Sequence, residues 1–377
     1  MKGFDTAIVG GGVIGLAIGW RLASTGKRVA IIDRGEAGRA ASWASGGMLG
    51  NDAEIGFEEL EVYSLGAAST KLWPDFVRDL EEASGLDVGY RTEGTLMVAD
   101  DADGAANLRR IFRFQQEQKV PVEWIAVSRA LELEPLLTPR LTAAVLSESD
   151  RQVDPRLMVT ALKKAFLAAG GFLIEHQRVV RVESAGSVMH CLMEAADAVE
   201  SEHVVLAAGA WSSLVDVSEV QPPPVRPVKG QMLELRMLPQ LEITHVIRGR
   251  ATYLAPKQNG RLLVGSTSEE MGYDETVTAG GVYELLEKAW RLIPAIYDMP
   301  LTDSWAGLRP ASPDHAPLIG FAEDPRIMFA TGHHRHGILL APVTAVAVAD
   351  LLTKGNTSMP IAVCSPDRFG IDVGAPQ

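Results

Sequence analysis

The residues best equipped for chemistry are few. Arg309 sits in the apolar run Trp305-Ala306-Gly307-Leu308-Arg309-Pro310, where a guanidinium needs an anionic partner. Its flat fork matches a carboxylate through two parallel hydrogen bonds. That carboxylate can belong to the protein, as a structural ion pair, or to a substrate, and taken alone the residue fits the structural pair better. Tyr253, in Thr252-Tyr253-Leu254, offers a hydroxyl but alone reads as an ordinary strand aromatic. Arg335 lies among Gly332, His333, His334, His336 and Gly337. Histidines this close invite a metal reading. They cannot all point one way in so short a segment, and no carboxylate adjoins them, so no metal is expected.

A second group of residues suits phosphate binding. Gly10, Gly12 and Gly15 satisfy the GxGxxG pattern. The first permits a tight turn, the second lets a pyrophosphate approach the backbone, and the third lets helix and strand pack closely. A helix N-terminus beyond them presents free N–H groups and a partial positive charge to that pyrophosphate. Asp33 follows Gly15 by 18 residues, at the end of the next strand, placed to accept hydrogen bonds from an adenosine ribose. Its charge would repel a 2′-phosphate. The fingerprint does not separate FAD from NAD. The small-residue stretch Gly38 to Met48, with Trp43 embedded, suits close contact along a large extended cofactor.

The elements needed to position these residues are visible as patterns. Thr6–Val9 and Arg28–Ile32 read as strands flanking a helix over Val13–Ser24, a βαβ opening. Gly35–Gly50 reads as an extended loop, Glu58–Ala83 as largely helical, Thr92–Val98 as a strand and Asn107–Gln118 as a helix. A helix over Arg156–Ala169 follows Val153-Asp154-Pro155, then strands near Phe172–Ile174, Val179–Val182 and Val204–Ala208. After Pro222-Pro223-Pro224 comes a β-rich block holding Gln231–Leu235, Thr252–Ala255 and Arg261–Val264. Helices are expected over Val282–Leu292 and, started by Pro342, to Leu352. The order suggests a nucleotide domain assembled from separated pieces of chain, with a mostly antiparallel sheet domain inserted between them.

Bulk properties narrow the partners. A chain of 377 residues is long enough for two domains. Against 35 basic residues stand 48 acidic ones, a net charge of -13, which repels nucleic-acid phosphates and anionic lipid alike. Neither is an expected partner. Cys191 and Cys364 lie far apart with no CxxC spacing, fitting a reducing cytoplasm. Lys2 and the apolar stretch after it imitate a signal peptide, but Asp5 and the glycine pattern argue against one. The apolar stretch Gly337–Leu352 holds Pro342 and Asp350 and falls short of the ~20 residues of a membrane span.

Several blocks in one order carry a resemblance. They are AIVGGGVIGLAIGWRLA from Ala7, GRAASWASGGML from Gly38, VVLAAGAWS from Val204 and PVKGQM from Pro227. GRLLVGST from Gly260, WAGLRPASPD from Trp305 and TGHHRHGILLAP from Thr331 continue the series. Over nearly its whole length the chain resembles the glycine oxidase and D-amino-acid oxidase family of flavoenzymes, most of all the glycine oxidases of thiamine biosynthesis and related D-amino-acid dehydrogenases. The resemblance implies an α/β fold of mixed α+β character. A Rossmann-type FAD-binding domain (1–90, 150–220, 310–377) would carry an inserted, mostly antiparallel substrate domain (91–149, 221–309).

The resemblance also assigns roles. FAD would be held by the glycines with Val13, Ile14, Asp33 and Arg34, by Ala41 and Ser42, and by the Val179 backbone near the adenine. Ala208, Gly209 and Trp211 would join them. Gly46, Gly47 and Met48 would lie by the flavin, and His333, His334, Arg335, His336, Gly337, Ile338 and Leu339 would wrap its edge, backed by the dipole of the last helix. Arg309 becomes the anchor for a substrate carboxylate, with the Tyr253 hydroxyl beside it and the Arg335 carbonyl holding the amine. The implied reaction is hydride transfer from the substrate Cα to flavin N5, with oxygen as acceptor and hydrogen peroxide as product. A glycine, sarcosine or D-amino acid would be the substrate, and no general base is required. The alternatives are a dehydrogenase passing electrons to a membrane quinone, and a nicotinamide-fed flavin monooxygenase. Homo-oligomerisation stays open. Where the family pattern has bulkier groups, this chain has Ala251 and Ser268, which puts a strict preference for glycine in doubt.

Overall fold

In the computed structural model, which describes residues 3–57 and 60–370, the chain opens with β1 (Phe4–Val9), α1 (Val13–Ala23) and β2 (Val29–Ile32). All of β2 is buried and β1 nearly so. Strands covered on both faces read as continuous apolar runs rather than alternating ones. In register, Ala7 stands opposite Ala30 on one side and Val204 on the other, both parallel. Met1, Lys2, Glu58, Glu59 and residues 371–377 lie outside the described residues.

The described strands form two large sheets. The nine-stranded one draws on 4–32, 172–217 and 318–331, with parallel pairing around β1. Helices Val13–Ala23, Leu60–Ser84, Pro155–Ala168 and Ala341–Lys354 share a core with one of its faces. The eight-stranded sheet draws on 95–147 and 226–311 and is antiparallel apart from the pairing of Val246–Arg248 with Thr95–Ala99. No described helix is long and apolar enough to cross a membrane.

Where the sheets meet, Trp305 donates from Nε1 to the carbonyl of Ala44 at 3.0 Å. Trp43 stacks edge-on against Trp305 at 5.5 Å, and Arg156 caps both rings. This joint corrects the reading of 35–50 as an extended loop. Ala41–Ala44 is a turn of helix, and Met48–Leu49 pairs with Arg151–Gln152 as a short strand. The packing of Trp43 and Ala44 under the second sheet supplies the order that local composition lacks.

Other differences are smaller. The strand expected over Thr92–Val98 begins at Thr95, because Gly94 has φ +93° and breaks the extended run. The helix expected from Glu58 is described from Leu60 and continues past Pro74 to Ser84. Leu301–Ala311, the strand that carries Arg309, went unmarked in the sequence patterning. It pairs along nearly its full length with Arg226–Arg236.

Candidate functional site

A single continuous cavity of about 700 Å³ runs between the two sheets, within the ordinary size range of cofactor and substrate sites. At one end lie Gly10, Gly12, Val13 and Ile14, then Asp33, Arg34 and Val179. Gly10 has φ +110°, a conformation that a side chain would strain. A Cβ on Gly15 would run into the Gly10 carbonyl, so Gly15 is buried in packing and is absent from the cavity wall. The first N–H groups of α1 have no intrahelical partner by geometry. One of them, on Val13, donates to Ser42 Oγ at 2.9 Å.

The Asp33 carboxylate accepts from the N–H groups of Gly11 and Gly35, at 2.7 and 2.8 Å. These bonds fix it at the rim of the turn, and a carboxylate retains further acceptor positions. Arg34 lies over the Trp211 ring at 3.4 Å, where burial lowers its pKa. This end of the cavity therefore has the glycine turn, a helix N-terminus, an acid and a stacked arginine. Its shape and chemistry fit an extended dinucleotide.

The wall continues through Ala41, Ser42, Gly46, Gly47 and Met48, and through Ala208, Gly209 and Trp211. The Gly47 carbonyl accepts from Val153 N–H at 2.9 Å. Val153 in turn receives Lys257 Nζ at 2.8 Å, and the same ammonium donates to Gln152 Oε1. Burial pushes the Lys257 pKa down to about 7. Lys257 thus braces the glycine loop from behind, a function that its sequence position did not suggest.

At the far end stand Arg309 and Tyr253. Arg309 donates to Ser266 Oγ at 2.6 Å and to the carbonyls of Thr267 and Lys229 at 3.2 and 3.4 Å. These are neutral acceptors, and burial lowers the guanidinium's pKa. An anion entering the cavity would meet a held, dehydrated fork. Tyr253 packs between Gly46 and Gly265, and its hydroxyl donates to Met232 Sδ at 3.2 Å. Burial pushes its pKa up to about 12, so it enters chemistry as a hydrogen-bonding phenol.

The histidine segment divides. His333, His334, Arg335, Gly337 and Ile338 line the main cavity, whereas His336 and Leu339 face a small hollow beside Ile55, Val62 and Tyr63. The Leu339 carbonyl is taken by Ser69 Oγ and Trp73 Nε1, at 2.6 and 2.9 Å. His333 Nε2 meets Thr344 Oγ1 at 3.0 Å. Burial drives all these imidazoles toward neutrality, His333 to about 3, His334 to about 2 and His336 to about 4. In the first turn of the final helix Ala341 N–H goes to the Ile338 carbonyl at 3.2 Å, and Pro342 has none. That helix end therefore contributes its dipole more than its donors.

Two further groups carry no signal in the sequence. His315 stacks on His334 with ring centroids 4.2 Å apart. Glu54 lines the cavity with its carboxylate 3.0 Å from Arg248 Nη1, and it acts electrostatically on His336. The expectation that no carboxylate adjoins the histidines held for the sequence and is corrected by the fold. Glu54 sits on a single helical turn, Asn51–Glu54, with no motif to mark it, and its partner comes from a strand of the other sheet.

Comparison with known proteins agrees with this geometry. The family described as DAO, FAD dependent oxidoreductase, matches residues 5–351. Glycine oxidase of Geobacillus kaustophilus is 37% identical over 375 residues, covering 98% of both chains. Glycine oxidase of Bacillus subtilis is 32% identical over 351 residues, 93% of each. The bifunctional protein ThiO/ThiG of Nostoc is 34% identical over 93% of this chain and 53% of its own. The crystal structure of the Geobacillus kaustophilus glycine oxidase superposes with a TM-score of 0.92 at 35% identity, covering 98% of this chain and 99% of that one.

Proposed function

The chain belongs to the DAO family of FAD-dependent oxidoreductases, and from that premise we propose that it oxidises a small amino acid, whether glycine, sarcosine or a D-amino acid, to its imine. Molecular oxygen is the electron acceptor and hydrogen peroxide the product. The observation that carries this reading is the unbroken cavity from the glycine turn to Arg309 and Tyr253. The residues along it would hold an extended dinucleotide, with Arg309 at its far end suited to a substrate carboxylate. The two-electron chemistry is supplied by FAD.

The protein's share is positioning. The glycine turn, α1 and Asp33 hold the nucleotide, and Arg34 with Trp211 closes that end. Gly46 to Met48, with His333, His334, Arg335, Gly337 and Ile338, would border the redox end. Arg309 takes the substrate carboxylate and Tyr253 adds a hydrogen bond, so the Cα is presented in one orientation. The backbone carbonyl of Arg335 receives the amine. Segments 1–90, 150–220 and 310–377 carry the cofactor, and 91–149 and 221–309 carry the substrate. Both cysteines are free and buried, their thiols pushed up to about 12 by burial, in keeping with a reducing cytoplasm.

The test is anaerobic mixing of the yellow protein with glycine, sarcosine, D-alanine, D-proline, NADH and NADPH. Bleaching of the flavin by an amino acid, and by neither nicotinamide, is expected. Readmitted oxygen should restore the colour and yield hydrogen peroxide. Bleaching by a nicotinamide alone overturns the reading, and a colour that returns only with a quinone overturns the choice of acceptor.

A further inference from the structure

We propose that Glu54 is the residue that selects an amine, accepting the N–H groups of the substrate's amino end while Arg309 holds its carboxylate. The inference rests on the function proposed above and deepens it. Arg309 recognises any small carboxylate, and the Arg335 carbonyl accepts from an amine or a hydroxyl alike, so a further group must separate an amino acid from a hydroxy acid of the same size.

Among the described residues that line the cavity, the carboxylates are Asp33, in the glycine-turn region, and Glu54. Glu54 lines the same cavity as Arg309, Tyr253 and Arg335, and it interacts electrostatically with Arg309, Arg335 and Tyr253. Its side chain retains 10% exposure, directed at the cavity. Burial alone would raise its pKa, but the guanidiniums of Arg248, Arg335 and Arg309, with His336, bring it below the usual carboxylate range. The surrounding guanidiniums therefore favour its charged form.

Its ion pair with Arg248 engages Oε1, and a carboxylate has about four acceptor positions. Capacity remains for a donor from the substrate. An amino acid arrives as a zwitterion, positive at nitrogen and negative at carboxylate. Arg309 and Glu54 present the complementary pair in one cleft. The surrounding guanidiniums also keep the field at the nitrogen from becoming strongly negative. The substrate can thus lose a proton to solvent and still donate an N–H to Glu54. Binding and loss of that proton are compatible at one carboxylate. Glu54 acts here as a binding group, paired with Arg248 and accepting from the substrate nitrogen.

The test compares glycine with glycolate, which keeps the carboxylate and replaces the amine by a hydroxyl. Each is titrated anaerobically into the FAD-loaded enzyme, and apparent Kd is read from flavin reduction or from the perturbed flavin spectrum. In Glu54→Gln, glycine should weaken by about tenfold or more, the scale of a hydrogen bond to a charged group, while glycolate binds as well or better beside Arg309. Glu54→Asp keeps the charge and should give an intermediate ratio. Parallel weakening of both ligands, or an unchanged ratio, overturns the proposal. If Glu54→Gln loses its FAD, Glu54→Asp carries the test by the same ratio. Wild-type flavin that no amino acid reduces would sink the function itself, whereas the glycine-to-glycolate ratio remains readable by titration.

Discussion

Arg309 lies across Gly230 of the neighbouring strand, and a Cβ at Gly230 would collide with the guanidinium. The strand pairing thus reserves a place for the fork before any ligand arrives. Arg309→Ala should cost about 2–5 kcal/mol in kcat/KM, the range for losing one partner of a buried charge pair. Arg309→Lys should also be poor, since an ammonium cannot reproduce the fork. Gly230→Ala should move the guanidinium and lower kcat/KM without removing flavin. Steady-state kinetics and the flavin-to-protein absorbance ratio check all three, and near-wild-type kinetics in either Arg309 variant would take that residue out of the site.

The FAD should be bound tightly and without a covalent link. The cavity wall among the described residues includes no cysteine, and Cys191 and Cys364 are buried elsewhere in the cores. Acid or heat should therefore release the yellow colour into the supernatant. Gly15→Val should push α1 away from the Gly10 turn and yield colourless protein. Flavin that stays with the precipitate contradicts the first expectation.

The nucleotide half was legible because its chemistry is local. Turn, helix start and Asp33 fall within one short stretch, and each follows from backbone geometry. The substrate half was not. Glu54 and Arg248 meet only because a helical turn and a strand of the other sheet are folded against each other. The strand Leu301–Ala311 shows no clean alternation because both faces are covered, Trp305, Gly307 and Arg309 facing Ala44 and the cavity and Leu308 buried on the other side. Arg309 and Tyr253 gained a function only through resemblance. Lys257 belongs to no motif, and only the fold shows it as a buried brace.

Asp150 should make stability fall as pH rises. Burial, then the nearby Asp52, pushes its carboxyl up to about 7 from the ordinary 3.8, although the N–H groups of Asp52 and Ala53 pull the other way. The folded protein therefore binds a proton that the unfolded chain releases. The stabilising contribution is complete below the unfolded value and is lost as pH rises through about 7. Asp150→Asn stays neutral and should flatten this dependence. Thermal melts near about pH 5.5 and about pH 8 decide it, since equal slopes in variant and wild type would remove Asp150 from the account.

Substrate size is the last expectation, and it turns on the mouth of the cavity. Ala251 and Ser268 line the wall there and are both exposed, so the space beside them opens toward solvent. Two methionines could refill it. Met232 is buried and engaged by the Tyr253 hydroxyl at 3.2 Å, which holds it in place. Met48 is half-buried, lines the cavity and packs against the same cluster as Met232 and Tyr253. If Met48 stays where it lies, a substituent on Cα or nitrogen finds room and gains apolar contact, about 1–3 kcal/mol for each well-placed methylene. A D-amino acid or an N-alkyl glycine should then exceed glycine in kcat/KM. Enlarging the rim with Ala251→Leu should shift preference back toward glycine, because the added side chain occupies the space those substituents need. Glycine, sarcosine, D-alanine and D-proline measured on one preparation give the answer, and a clear win for glycine over the other three would mean that the open rim plays no part in selection.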